Sequence, residues 1–281
     1  MSSITDYALP NPINQNRSGI IGRAVDRYEG PLKVSGTAPY AYEVKTPSPP
    51  AYGVLVAAAI GCGMITAVDD AAARAAPGVK LVWHVFDQPP GQGEAGAKSY
   101  VQGQAVADPV LVNPKVRYFG QPVALVVADT LENATAAAAL VQVNYDQDLE
   151  AQYAFDPAEA APTQHDQDSM VGDFDLAYAE APIQLDEVYS TPIQNHCQME
   201  PCATTAWWED GKVQINTSVQ MIKGPQHLVA ETLQIHRSNV HLMSLYVGGG
   251  FGGKGSCYED LALAALASRT LAMPVKIALT R

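Results

Sequence analysis

Apolar positions along the chain come in short blocks, and their period switches between strand and helix. Tyr52 to Ile60 is a continuous apolar run of strand length, broken by Gly61 and Gly63. Asp69 to Ala76 reads as a short helix, with Asp69 or Asp70 as its cap and Pro77-Gly78 as its stop. Lys80 to Phe86 predicts a second strand. Pro122 to Asp129 contains Val-Ala-Leu-Val-Val-Ala and predicts a strong strand. An Ala-rich helix over Thr130 to Leu140 and a strand over Val141 to Tyr145 follow. Strand–helix–strand order of this kind predicts an α/β unit ending near residue 148.

The second half repeats the alternation with different spacing. Ile183 to Tyr189 alternates like a strand. Ala203 to Trp208 and Lys212 to Thr217 flank Glu209-Asp210-Gly211, a hairpin signal. Pro225 to Leu233 predicts a helix with proline in its first turn. A β-rich run over Val240 to Val247, a helical run over Leu261 to Met273 and a strand over Val275 to Leu279 complete the chain. Between these blocks lie three polar stretches. Residues 1–20 read as an extended arm, 88–110 as a Pro-, Gly- and Gln-rich loop without regular structure, and 149–170 as a linker. The expected division is a unit at 21–148 and a second at 171–281, which opens on Val171-Gly-Asp-Phe-Asp175.

Composition narrows the function. The 281 residues suffice for one large or two ordinary domains, with 47% hydrophobic and 16% charged residues. A net charge of −12 argues against nucleic acid as a partner. No apolar run approaches the roughly 18 residues of a membrane span. Residues 1–17 lack a leader pattern, so export would depend on a partner that carries the address. Cys62, Cys197, Cys202 and Cys257 form no C-x-x-C pair, and His196 with Cys197 and Cys202 fits no common ligand spacing, so no direct protein ligand to a metal is expected.

Chemistry concentrates in Val247-Gly-Gly-Gly-Phe251-Gly-Gly-Lys254. Five glycines in one turn cost backbone entropy, which makes sense where the chain must pass close to something large. A strand–glycine turn–helix context presents N–H groups to an anion, so the stretch reads as a cradle for a phosphate-bearing cofactor. It satisfies G-x-G-x-x-G, yet nothing acidic lies between Asp260 and Arg281 to hold a ribose. It approaches a P-loop, yet Gly255 stands where Ser or Thr must hold magnesium. Gln220, at the end of the second hairpin strand, offers an amide that could donate to a ligand oxygen.

Together these motifs resemble the molybdenum-binding subunit of the xanthine oxidase and aldehyde oxidoreductase family over nearly the whole chain. Gly22, Asp26, Arg27, Gly30, Lys33, Gly36 and Tyr40 resemble the opening of that family's α/β hammerhead domain. Gly120-Gln121-Pro-Val-Ala124, Asp129 and the Ala-rich helix running into Tyr145 resemble its close. Val171-Gly-Asp173, His196-x-x-Met199-Glu200-Pro201 and the glycine loop resemble the first part of the molybdenum domain. Gly30-Pro-Leu-Lys and Tyr40-Ala-Tyr-Glu43 resemble most the bacterial periplasmic aldehyde oxidoreductases.

The resemblance implies an α/β (α+β) chain: a hammerhead domain, then the first part of a molybdopterin-binding domain. It implies oxidation of aldehydes to carboxylic acids on a molybdenum–molybdopterin cytosine dinucleotide, with periplasmic location by co-export with a partner and the cytoplasm as the alternative. The implied partners are an iron–sulfur subunit carrying [2Fe-2S] clusters, a FAD or cytochrome subunit, and a chain carrying the rest of the molybdenum domain. Gln220 matches the glutamine that hydrogen-bonds an oxo ligand of the metal. Gly249, Gly250, Phe251, Gly252 and Gly253 match the loop against the cofactor. Glu200 matches a structural strand motif. The family's general-base glutamate has no counterpart within the 281 residues, which implies that this chain alone does not complete catalysis. An N-heterocycle hydroxylase subunit and a P-loop-like nucleotide-binding protein stand as alternatives.

Overall fold

The structure is a computed structural model that describes residues 24–87, 89–90, 100–101, 104–105, 111–151, 171–255 and 259–280. The expected arm at 1–20, Cys257, most of the 88–110 loop and most of the 149–170 linker lie outside the described residues.

A seven-stranded mixed sheet forms the frame. Its strands are β1 (Ala51–Ala57), β3 (Val79–His84), β7 (Pro122–Ala128), β9 (Ala203–Glu209), β10 (Lys212–Thr217), β11 (Val240–Met243) and β12 (Val275–Ala278), in the order β11-β10-β9-β12-β1-β7-β3. A second sheet holds β2 (Gly63–Asp69) between β6 (Lys115–Val116) and β8 (Gln142–Gln147). Within the stretch read as a structureless loop, β4 (Tyr100–Val101) and β5 (Gln104–Ala105) pair antiparallel. The helices are α1 (Gly30–Val34), α2 (Ala71–Arg74), α3 (Leu131–Ala138), α4 (Phe174–Glu180), α5 (Lys223–Leu233) and α6 (Glu259–Leu271).

The apolar run of β7 is explained by its central place. Val123, Leu125 and Val127 face the large core, while Val126 faces a small cluster with Val82, Ala73 and Ala137 under α2 and α3. Both faces are covered, so the strand has no polar side. The sheet also joins the two halves of the chain. β1 pairs in parallel with β12, Gly53 opposite Ile277. A Cβ at Gly53 would sit 2.8 Å from the Ile277 side chain, so this pairing needs glycine there. Helix α6 is buried from Leu261 through Ala267, and its alanines let it lie close against β9 and β12.

Four expectations are corrected. Gly63 does not end an element but begins β2, at φ +146°, where a Cβ would clash with the Asp146 carbonyl. The helix expected over Asp69 to Ala76 shrinks to the single turn α2, because β2 runs on to Asp69. Ile183 to Tyr189 forms no strand: its alternating side chains stand in solvent, and no described strand pairs with it. The strand expected over Val240 to Val247 stops at Met243, where the Ser244 hydroxyl takes over, donating to the Val219 carbonyl at 2.7 Å and accepting from the Val219 N–H at 3.2 Å. Helix α4 was not anticipated, although Asp173 caps it by accepting from the Leu176 N–H at 3.1 Å.

Candidate active site

The hairpin β9–β10 and the turn after β11 converge on the glycine loop. Gln220 lies three residues beyond β10, and its backbone N–H donates to the Lys254 carbonyl at 2.8 Å. The Gly252 N–H donates to Gln220 Oε1 at 3.1 Å. Because an N–H must face an acceptor, this contact fixes the amide orientation, and among the described residues no hydrogen bond engages Nε2. A Cβ at Gly250 would lie 2.5 Å from Gln220 Cδ, so glycine is required for the glutamine to sit here.

The loop itself is wound left-handed, with Gly249 at φ +95°, Phe251 at +52° and Gly252 at +90°. Phe251 is a non-glycine residue in this region and is 73% exposed, a strain and an apolar exposure that a bound group would account for. The loop closes on itself through the Gly253 N–H to the Gly250 carbonyl at 2.7 Å and the Gly255 N–H to the Gly252 carbonyl at 3.0 Å. Among the described residues, no hydrogen bond engages the N–H groups of Gly249, Gly250 or Phe251. His196 packs against Gly252 and Gly253, Gln198 against Gly249, and Tyr40 against Gly248. A cradle lined by glycine, three unengaged amides and one oriented amide donor suits a large oxygen-rich ligand. The residues present therefore fit a pterin cofactor that carries oxo and phosphate groups.

One ion pair holds the loop from behind. The Lys254 side chain is fully buried, and its Nζ lies 2.7 Å from Glu200 Oε2, which also accepts the Gly248 N–H at 2.7 Å. The Glu200 N–H in turn donates to the Gly248 carbonyl at 3.1 Å. Glu200 thus clamps both ends of the loop, a structural task. A P-loop lysine must reach phosphates from the concave side, whereas this ammonium is spent on Glu200. The pair links residues 54 apart, and no local sequence signal could have joined them.

The helix end does not add the anion site expected of it. Helix α6 starts five residues beyond Lys254, with Glu259 and Asp260 in its first turn. Burial raises the carboxyls of both, and Asp260 is pushed from 3.8 up to about 6, partly offset by the Thr204 hydroxyl donating at 2.7 Å. The folded value lies above the unfolded one. Asp260 therefore costs no stability while protonated, and lowers stability as pH rises through about 6. Asp260→Asn should accordingly stabilise the chain at pH 8 by about 3 kcal/mol, the gain shrinking as pH falls towards 4. Urea unfolding midpoints at both pH values check this; a loss of stability at pH 8 would contradict it.

Away from the loop, Asp70, His84 and Asp87 bring ligand atoms within 4.8 Å of one another. Arg74 bridges the two carboxylates, at 2.6 Å from Asp70 and 3.2 Å from Asp87, so the protein's own cation already offsets part of their charge. Cys202 is buried and Cys197 exposed, and neither forms a disulfide among the described residues.

Comparison with known proteins agrees with this arrangement. Residues 35–148 match the aldehyde oxidase and xanthine dehydrogenase a/b hammerhead domain, and residues 157–281 match the molybdopterin cofactor-binding domain. The chain is 43% identical over 274 residues to the aldehyde oxidoreductase molybdenum-binding subunit PaoC of Escherichia coli O157:H7, covering 96% of this chain and 36% of that protein. It is 30% identical over 270 residues to a xanthine dehydrogenase molybdenum-binding subunit of the same organism, covering 91% and 35%. The chain thus spans about a third of the length of the curated relatives it matches. Among solved structures, quinoline 2-oxidoreductase from Pseudomonas putida 86 superposes with a TM-score of 0.74 at 25% identity, over 92% of this chain and 34% of that one. Two matched domains in the family's order, carried by an almost complete alignment, make this chain a member of the aldehyde oxidase and xanthine dehydrogenase family, in the part that binds the molybdopterin cofactor.

Proposed function

We propose that this chain supplies the cofactor cradle of a molybdenum hydroxylase that oxidises aldehydes to carboxylic acids. The observation that carries the proposal is the set of three unengaged amides at Gly249, Gly250 and Phe251, beside the oriented amide of Gln220. When bound, the molybdenum-bearing pterin supplies the two-electron oxidation of the substrate. The protein supplies binding and orientation. The loop amides hold oxygen atoms of the cofactor without needing positive side chains, which suits a chain of net charge −12. Gln220 Nε2 donates to a cofactor oxygen and fixes its direction, while its Oε1 stays anchored to Gly252. Phe251 presents an aromatic face and, with its flanking glycines, excludes water.

The 43% identity to an aldehyde oxidoreductase subunit favours aldehydes as substrates. The likeness to quinoline 2-oxidoreductase supports an N-heterocycle as the second reading. The cytosine dinucleotide form of the cofactor, [2Fe-2S] clusters and FAD on partner subunits, a general base on polypeptide beyond these residues, a domain division at 149–170 and periplasmic co-export belong to the same proposal. Metal and nucleotide analysis of the native assembly tests it. Molybdenum and cytidine monophosphate released in equal amounts, with aldehyde-dependent reduction of an acceptor, is the expected result. An assembly that carries adenine nucleotide and magnesium instead would refute it.

A further inference from the structure

Thr205 on β9, Lys276 on β12 and Tyr52 on β1 stand in one row across three neighbouring strands, because Lys276 is the ladder partner of both Thr205 and Tyr52. Ladder partners share a face of the sheet. Thr204, one residue away, faces α6 through its bond to Asp260, so the row lies on the opposite face. Residues 41–44 cross that face as a strap, and the row grips them. The Thr205 hydroxyl donates to the Ala41 carbonyl at 2.8 Å. Lys276 Nζ, which is partly buried, donates to the Tyr42 carbonyl at 2.7 Å and to the Val44 carbonyl at 3.0 Å. The Tyr42 ring lies 5.6 Å from that ammonium and 6.4 Å from the Tyr52 ring.

The strap begins at the glycine loop. The Glu43 N–H donates to the Tyr40 carbonyl at 2.8 Å, and the Tyr40 N–H donates to Glu43 Oε2 at 3.1 Å, so a closed turn ties Tyr40 to the gripped residues. The Tyr40 ring sits 5.8 Å from the Tyr246 ring, and its Cε1 would lie 3.4 Å from a Cβ on Gly248. Tyr40 therefore packs where the chain enters the loop, on the same glycine whose N–H Glu200 accepts.

We infer that Lys276 is a positioning residue for the cofactor cradle: through the carbonyls of Tyr42 and Val44 it sets the place of Tyr40, and Tyr40 fixes the entry of the glycine loop at Tyr246 and Gly248. A run of glycines has no side chains to hold its course, so its amides stay aimed at one point only if its ends are fixed. Glu200 and Lys254 fix them by charge and hydrogen bonds, and Tyr40 fixes the entry by contact. Lysine suits the task because one nitrogen carries donors for both carbonyls at once. That the aimed amides serve a cofactor rests on the proposed function.

Molybdenum retention and residue-resolved amide exchange in the native assembly test the inference. Lys276→Met should shorten the half-time of molybdenum loss about tenfold, the scale of losing a group that orients a cofactor's ligands from behind. Exchange of the Gly248 amide should speed up by about the same factor. Tyr40→Ala should do both, and the double variant should lose no more than either single one, because both act through one contact. Lys276→Arg again offers donors to both carbonyls and should restore the parent's values. Val126→Ala, in the small cluster under α2 and α3, loosens the core at a distance and should leave both readouts near the parent's. Parent-like retention and exchange in Lys276→Met would overturn the inference. So would losses that add in the double variant, or a Val126→Ala variant that matches Lys276→Met. Exchange at Gly248 does not need the metal, which keeps the two readings apart. An assembly without molybdenum whose Gly248 exchange still follows this pattern supports the positioning and defeats the proposed function. Molybdenum present in the parent, with Gly248 exchange unmoved by either variant, defeats the positioning.

Discussion

Lys254→Met should destabilise the chain by about 3–5 kcal/mol, because it leaves the Glu200 carboxylate enclosed without its cation. The size follows from burial. The ammonium has no solvent exposure and the carboxylate little, so neither can recover hydration when its partner goes. Glu200 Oε1 has no hydrogen-bond partner among the described residues, so without the ammonium only the Gly248 N–H remains to the carboxylate. Glu200→Gln combined with Lys254→Met should recover much of the loss, since the neutral pair no longer buries a charge. Denaturant unfolding of the single and double variants measures this. Additive losses in the double variant would show that the two side chains act independently. The same Lys254 variant should lower the molybdenum content of the native assembly, because the clamp that holds both ends of the loop is gone.

Gln220→Ala should lower turnover in the native assembly on the order of 100-fold, the usual cost of removing a preorganised hydrogen-bond donor at a reacting centre. Gln220→Glu separates the donor from the anchor. It keeps an oxygen for the Gly252 N–H, which Gln220 Oε1 accepts at 3.1 Å, and loses the Nε2 donor. Both variants should fall equally in turnover while the folding midpoint and the molybdenum content stay near those of the parent. Full activity in the glutamate variant would assign Gln220 to holding the loop rather than to donating to the cofactor.

The parts of the fold that were legible in the sequence are those decided by neighbours in the chain. The β9–β10 hairpin followed from Asp210-Gly211, which lie in its turn at φ +49° and +73°. The β7 run and α6 were readable as unbroken apolar blocks because each is buried all round, and the Ala-rich α3 because Ala134 and Ala137 are buried at helical spacing. The glycine loop and Gln220 were readable as residue types that a core would not otherwise tolerate or need. What escaped depends on contacts distant in sequence. Gly63 looked like a break, because only the position of Asp146 shows that a strand starts there. Glu200 and Lys254 carry no signal of their pairing. Ile183 to Tyr189 was misread for a different reason: alternation describes what a segment can pair with, and no described strand pairs with this one.

The most direct test is a density map of the molybdenum-bearing native assembly. The account predicts a pterin-borne metal group against the amides of Gly249, Gly250 and Phe251, with Gln220 Nε2 in hydrogen-bond contact with one of its oxygens. Molybdenum bound elsewhere in the assembly, with that turn facing only protein or solvent, would contradict it.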